Sequence, residues 1–473
     1  MENQKKHVQN SNASNNSPKV NIRELILDML IEIYADREYS HILLRNVLEK
    51  YNYLDQKDKS FMKRVCEGCV ERKIQLDYVI NQFSNIQVNK MKPLIRALLR
   101  MSVYQLLFMD TVPDSAVCNE AVKLAQKRKF TALKGFVNGV LRTISREKEQ
   151  IKYPDKSKNY KEYLSVTYSM PMWIVEHWFN EKRDVESILE GLLKEHPVTI
   201  RINNNLTPDQ KTELLEELVK QQIQVERHEY LEDAYELKNT GGLNNIQAFL
   251  EGKITVQDVS SMFVAKIANP EKGAQCIDVC AAPGGKAIHL AEMVGIEGHV
   301  EARDLNDYKT DMINENIKRM KASNVSTLVF DATDLDESAV GTADVVIADV
   351  PCSGLGVIGK KRDIKYHATP ESLKEIVTLQ KKIITNAQAY VKPQGILMYS
   401  TCTINRGENE EMVEWICKNY PFEPVCIQSF LPQQLQDEKM SESAKNGYFQ
   451  FLPDKTDGFF IAKLQKKAES LSK

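Results

Sequence analysis

QCIDVCAAPGGK, residues 275–286, reads as an apolar strand that runs into a glycine turn and opens a helix. The same beat continues on its C-terminal side. HVEARD (299–304), STLVFD (326–331), DVVIAD (344–349), GILMYS (395–400) and GFFIAK (458–463) read as strands. Between them lie amphipathic stretches at 306–321, 371–391 and 407–418. Apolar strands alternating with amphipathic helices predict an α/β domain, a Rossmann-like, doubly wound mixed sheet with helices on both faces. Ligands of such folds gather at the carboxyl ends of the strands. The unusual segments of this domain all fall at such ends.

Outward from this domain, 251–466, the 473-residue chain divides further. Residues 1–20 are rich in Asn and Ser and read as a disordered tail, and 467–473 read as a C-terminal tail. Residues 21–148 have helical periodicity throughout, from Ile22, Leu25, Ile26, Met29, Leu30 and Ile33 through 60–84, 91–109, 115–128 and 132–146, which predicts a helical bundle. A polar stretch, 148–161, reads as a linker. The remainder to 250 reads as a small α+β connector, with a strand in PVTIRINNN (197–205) and a helix capped at Thr207. No apolar run is long enough for a membrane span, and no signal-peptide pattern opens the chain. Nine scattered cysteines do not form a disulfide framework, which fits a cytoplasmic protein with reduced thiols. Cys66 and Cys69 share one apolar helix with no second pair to complete a zinc site, and no metal is expected. Nothing demands more than a monomer.

The net charge of −2 hides an asymmetry. Residues 21–150 hold 22 basic against 16 acidic side chains, whereas 151–473 carry about −10. A basic front joined to an acidic back suits a nucleic-acid-docking module on a catalytic body; a solvated lysine-rich face gives the same charge.

Cys280, Ala281, Ala282, Pro283, Gly284, Gly285 and Lys286 form the first strand-end loop. Its glycines admit a ligand close to the backbone, and the helix start favours a carboxylate or phosphate. The pattern is not the G-x-G-x-x-G of nicotinamide binding. Asp304, ending the second strand, can accept from both hydroxyls of a ribose. Asp331 ends the third strand, where it can meet an adenine amino group, and Asp349 the fourth. Such a set suits a phosphate-free nucleoside cofactor with a cationic centre, S-adenosyl-L-methionine.

Two cysteines lie at strand ends, Cys352 in DVPCSG (349–354) and Cys402 in YSTCT (399–403). Carbon 5 of cytosine is too weak a nucleophile to attack a methyl sulfonium. A thiolate added at carbon 6 turns the ring into an enamine that is strong enough. A base then removes the carbon-5 proton so that the sulfur can leave. The scheme needs a cysteine in a positive or hydrogen-bond-donating setting and a carboxyl group at the N3 edge, for which Asp349 is placed.

CAAPGGK (280–286), ADVPCSGLG (348–356) and YSTCTI (399–404) together resemble the Sun/Fmu (NOL/NOP2/Sun) RNA cytosine-5 methyltransferases. YSMPMWIVEHW (168–178), VQDVSSM (256–262) and TDGFF (456–460) are similar to the same pattern. Leu94–Met109 and Gly135–Ile144 resemble the NusB fold, an all-helical RNA-binding domain, so the nearest pattern is the bacterial RsmB type, acting on 16S ribosomal RNA. The resemblance implies that Cys402 is the nucleophile, that Cys352 assists proton removal and release, and that residues 280–286, Asp304, Asp331 and Asp349 line the cofactor site. Arg303, and the segment before Asp457, depart from the family's usual residues. The base must be single-stranded or flipped out to reach a thiolate; Lys360, Lys361, Arg362 and Lys365 are the expected phosphate contacts. The resemblance implies small-subunit ribosomal RNA as the partner, with no DNA and no membrane expected. The same chemistry on transfer RNA, attack by Cys352 as in DNA cytosine enzymes, and a non-catalytic NusB-like RNA-binding factor stay open as alternatives.

Overall fold

The computed structural model describes residues 20–35, 38–436 and 438–468. The reading of 1–20 as a tail falls almost wholly outside these residues, and that of 467–473 mostly so. The chain forms two compact units that part between Tyr153 and Pro154.

The first unit is all-helical: Ile22–Tyr34, Ser40–Lys50, Gln56–Glu71, Lys73–Phe83, Pro93–Phe108, Asp114–Lys127 and Lys134–Arg146. Asn21 caps the first helix by accepting from the Glu24 amide. The 60–84 periodicity is divided between two helices that break at Arg72. Pro93–Phe108 is the central helix, with Ile95, Leu98, Leu99, Met101 and Val103 all buried. Its Arg100 is buried too, with Nε and Nη2 each donating to Asp77 at 2.6 Å. A buried charge needs such a fork of hydrogen bonds to offset its lost hydration.

The second unit opens with three short helices, Tyr160–Thr167, Met172–Asn180 and Val185–Leu193. Their apolar faces, including the fully buried Trp178, pack with Leu355, Ile358 and Ile404. They are a floor beneath the two loops that carry Cys352 and Cys402. An antiparallel sheet follows, in the order β2-β3-β1-β4, from β1 (Val198–Ile202), β2 (Gln224–Arg227), β3 (Ala234–Lys238) and β4 (Ile254–Val256). The helix Pro208–Lys220 covers it, started by a capping box between Thr207 and Gln210.

The large sheet contains β5 (Gln275–Asp278), β6 (His299–Asp304), β7 (Val325–Val329), β8 (Ala343–Asp349), β9 (Val391–Thr401), β10 (Phe422–Pro424), β11 (Tyr448–Phe451) and β12 (Phe459–Lys466). Its order is β10-β12-β9-β8-β5-β6-β7, with β11 also paired to β12. The strands β7, β6, β5, β8 and β9 are parallel, whereas β12 is antiparallel to β9. Each face is sealed by its own apolar cluster, which explains why the inner strands are apolar on both sides. The strand order reverses between β5 and β8, and a crevice at the carboxyl ends follows from that reversal. Among the described residues, no helix is long and apolar enough to cross a membrane.

Candidate active site

The ends of β5, β8 and β9 bring the chemistry together. After β8 the chain turns through Pro351 and Cys352; after β9 it turns at Cys402. The two sulfur atoms lie 3.0 Å apart, and the Cys402 amide donates to Cys352 Sγ at 3.2 Å. Asp349 takes the Lys286 ammonium at 2.6 Å on Oδ2 and the Ser400 hydroxyl at 2.8 Å on Oδ1. Lys286 also lies 5.5 Å from the centre of the Phe459 ring. Burial alone would lower the Lys286 ammonium, but Asp349, Asp278 and the Cys402 sulfur more than offset this and leave it raised. The contact with Cys402, then burial, then the charges of Glu408 and Asp349 hold the Cys352 thiol well above its usual value. These loops bring together four of the residues expected from sequence: Cys402, Cys352, Asp349 and Lys286.

The glycine turn is built as its sequence implied. Gly284 sits at φ +101°, open to glycine and strained for other residues, and the helix Gly285–Val294 starts directly after it. The Ala282–Pro283 peptide bond is cis. Asp304 ends β6 nearly buried and binds the turn by accepting from the Ala282 amide at 2.9 Å. Its other oxygen accepts from the Leu305 amide and from Lys309, a side chain the sequence had not singled out. Cys280 is partly buried, and burial followed by the charges of Asp278, Asp304 and Asp349 raises its thiol. That makes Cys280 part of the wall and a poor nucleophile.

Asp331 stands just past β7, and the basic loop is divided between buried and exposed positions. Asp331 lies two residues beyond β7, exposed, and accepts from the Thr333 amide and hydroxyl at 2.8 Å each. It forms a local turn, and these bonds lower its carboxyl. Lys365 is a correction: it is buried at 1% exposure, out of reach of a surface phosphate. The Lys360 ammonium bridges Asp258 at 3.0 Å and Asp457 at 2.7 Å, so its charge ties the VQDVSSM and TDGFF segments together. Lys361 is exposed and Arg362 partly so.

The family model described as 16S rRNA methyltransferase RsmB/F matches residues 265–465, and the NusB family model matches 20–146. The probable ribosomal RNA small subunit methyltransferase B of Bacillus subtilis (strain 168) is 34% identical over 456 residues, covering 95% of this chain and 99% of its own length. The chain belongs to the ribosomal RNA small subunit methyltransferase B family. The family's probable member from Synechocystis sp. (strain ATCC 27184 / PCC 6803 / Kazusa) is 30% identical over 459 residues, covering 94% of this chain and all of its own. The crystal structure of PH0851 matches at a TM-score of 0.75 with 26% identity, covering 94% of this chain and 98% of that one.

As a member of the methyltransferase B family, the chain is an S-adenosylmethionine-dependent ribosomal RNA methyltransferase. The turn around Gly284 fits that cofactor. Three carboxyl groups, Asp278, Asp304 and Asp349, lie around Cys280, with Lys309 and Lys286 paired to the last two. Asp278 is fully buried, and its Oδ2 has no partner among the described residues; buried carboxylate oxygens are rarely left so. The helix start at Gly285 presents backbone N–H groups of the kind that take a carboxylate.

The sequence reading missed Asp278, Glu408 and Asn405, whose side chain donates to Glu408 at 2.8 Å. Asp278 carried a signal, an acid inside an apolar strand end. Glu408, fully buried in a turn, sits in the charged run NRGENEE (405–411), most of which reads from sequence as the polar start of the amphipathic stretch 407–418.

Proposed function

We propose that this methyltransferase forms 5-methylcytosine in 16S ribosomal RNA through a bond between Cys402 Sγ and carbon 6 of the base. The observation that carries it is the 3.0 Å approach of two cysteine sulfurs beside a Lys286–Asp349 ion pair. A methylation at an oxygen or an amino nitrogen would need neither thiol. Bound S-adenosylmethionine supplies an electrophilic methyl group; the chain's own residues prepare the base. Cys402 adds to carbon 6, and the electron pair of the C5=C6 bond becomes available at carbon 5. The proton lost by the Cys402 thiol passes by way of Asp349 to N3 of the base, which makes carbon 6 electrophilic, and returns by the same path to the sulfur when the C6–S bond breaks. Lys286 holds Asp349 and places positive charge where the attacking sulfur is negative. After methyl transfer the carbon-5 proton leaves to a base, the C5=C6 bond re-forms and the C6–S bond breaks. Cys352 assists that last stage, as the base once ionised and as the neighbour of the departing sulfur. Lys361 and Arg362 remain candidates for phosphate contacts on the surface.

RNA containing 5-fluorocytidine cannot lose a proton at carbon 5 and traps the adduct. With that RNA, Cys402→Ala should form no covalent complex on denaturing gels, whereas Cys352→Ala should form it as the wild type does. The reverse pattern would transfer the nucleophile to Cys352. Mapping 5-methylcytosine in 16S and transfer RNA from cells with and without the protein tests the substrate.

A further inference from the structure

We infer that Glu408 is a positioning residue for adduct release: it binds the two cysteine loops to one another and keeps a negative charge beside Cys352. The inference rests on the covalent reading above. Glu408 is wholly buried in the turn between β9 and the helix Glu410–Asn419. Burying a carboxylate is costly unless its oxygens are fully hydrogen-bonded, and here all four partners are donors. Oε2 accepts from the Ser353 amide at 2.9 Å and from Gln380 Nε2 at 3.0 Å. Oε1 accepts from the Ser353 hydroxyl at 2.5 Å and from Asn405 Nδ2 at 2.8 Å.

The partners define the role. Ser353 follows Cys352 directly, and Gln380 donates also to the Pro351 carbonyl at 3.0 Å, so the residues on both sides of Cys352 are held. Asn405 lies three positions after Cys402, and the Ser353 hydroxyl meets Thr403 at 2.7 Å. One carboxylate therefore joins the loop of the proposed nucleophile to that of its helper. Nothing in its position reaches the base itself, so it acts through Cys352. The titratable groups facing Cys352 are the Cys402 sulfur, Glu408, Asp349 and the buried Tyr399 hydroxyl, with Lys286 neutralising part of Asp349, while His177 faces Glu408 from the helix Met172–Asn180. None of the hydrogen-bond partners of Glu408 is a cation. A nearby negative charge delays ionisation of a thiol and makes the thiolate, once formed, a stronger base. Removing the carbon-5 proton calls for that property.

The test uses the full chain and reads two stages separately: adduct formation on 5-fluorocytidine RNA, and the pH profile of turnover on cytidine RNA. Glu408→Gln should still form the adduct, while the alkaline rise of its turnover moves to lower pH by about one unit. Glu408→Asp keeps the charge but not the reach, so it should turn over more slowly with the wild-type midpoint. Should neither variant fold, Ser353→Ala removes one donor and leaves the charge; slower release at an unchanged midpoint is expected. Wild-type midpoints in both Glu408 variants, or wild-type release in Ser353→Ala, would overturn the inference. Loss of the adduct in the wild type itself would instead sink the covalent reading on which it rests.

Discussion

Asp278 shows how a single buried side chain links fold stability to pH. It ends β5 fully buried, with Oδ1 accepting from the Cys280 amide at 3.3 Å. Burial raises its carboxyl, the Lys286 ammonium opposes this, and Asp349 and Asp304 add to the rise, which takes it to about 7 from an ordinary 3.8. A proton held more tightly by the folded chain than by the unfolded one stabilises the fold. That contribution is complete below pH 3.8, where both states are protonated, and fades as the pH climbs to about 7. Across that window the slope is about −1.4 kcal/mol per pH unit. Urea unfolding of the wild type and Asp278→Asn, without cofactor, should therefore give curves that converge or diverge by this slope between pH 4 and 7 and run parallel above it. Parallel curves throughout would show that Asp278 ionises normally. The sign matters for the site: at neutral pH this carboxyl is poised between its two forms, next to the glycine turn and the Lys286–Asp349 pair.

Between residues and the whole chain, the active site depends on loops whose backbones touch. The Gly458 amide donates to the Gly356 carbonyl at 3.0 Å, and the Gly356 amide donates to the Cys402 carbonyl at 3.1 Å. A Cβ added at Gly356 would come 1.9 Å from the Gly458 carbonyl oxygen, a fixed backbone atom that cannot swing aside. Gly356→Ala should thus force the Cys352 loop away from both the Cys402 loop and the segment before β12. We expect about 1–3 kcal/mol of destabilisation and a large loss of adduct formation, read by thermal melting and by the 5-fluorocytidine trap. A stable, fully adduct-forming Gly356→Ala would mean that the loops do not need this contact. The same scale explains what could be read from sequence. The strands around β5, β8 and β9 were legible because burial on both faces leaves an unbroken apolar run. The two cysteines were legible because they lie directly after such runs. Glu408 was hidden because charged residues at the start of an amphipathic stretch look like its solvent side, whereas this one lies in a turn ahead of the helix and folds under a loop. Lys365 misled for the same reason in reverse: lysine is almost never buried, yet this one is. The break at Arg72 was also invisible, since the apolar period runs on through it into the next helix.

At the scale of the whole molecule, the residues proposed for chemistry all belong to the second unit, which starts at Pro154. The basic excess lies in the first, with 22 basic against 16 acidic side chains between 21 and 150. That is the region matched by the NusB family model. Electrostatics predicts a division of labour: if the acidic second unit gains little from phosphate attraction on its own, the first unit is expected to supply most of the salt-dependent affinity for RNA. Each phosphate that a lysine or arginine neutralises releases condensed counterions, and binding weakens with salt in proportion to their number. A chain trimmed to residues 154–473 should then still form the Cys402 adduct on a short 5-fluorocytidine oligonucleotide at high concentration. Its binding to 16S ribosomal RNA at low salt should be weaker than that of the full chain by roughly 10- to 1000-fold. Its plot of log affinity against log salt should also be shallower, with the difference in slope counting the phosphates held by the first unit. Equal slopes for the two proteins would place the RNA-holding charge in the second unit and leave the first without an electrostatic role. Loss of the adduct on the short oligonucleotide, in a fragment that melts cooperatively, would show instead that the first unit is needed for the chemistry itself.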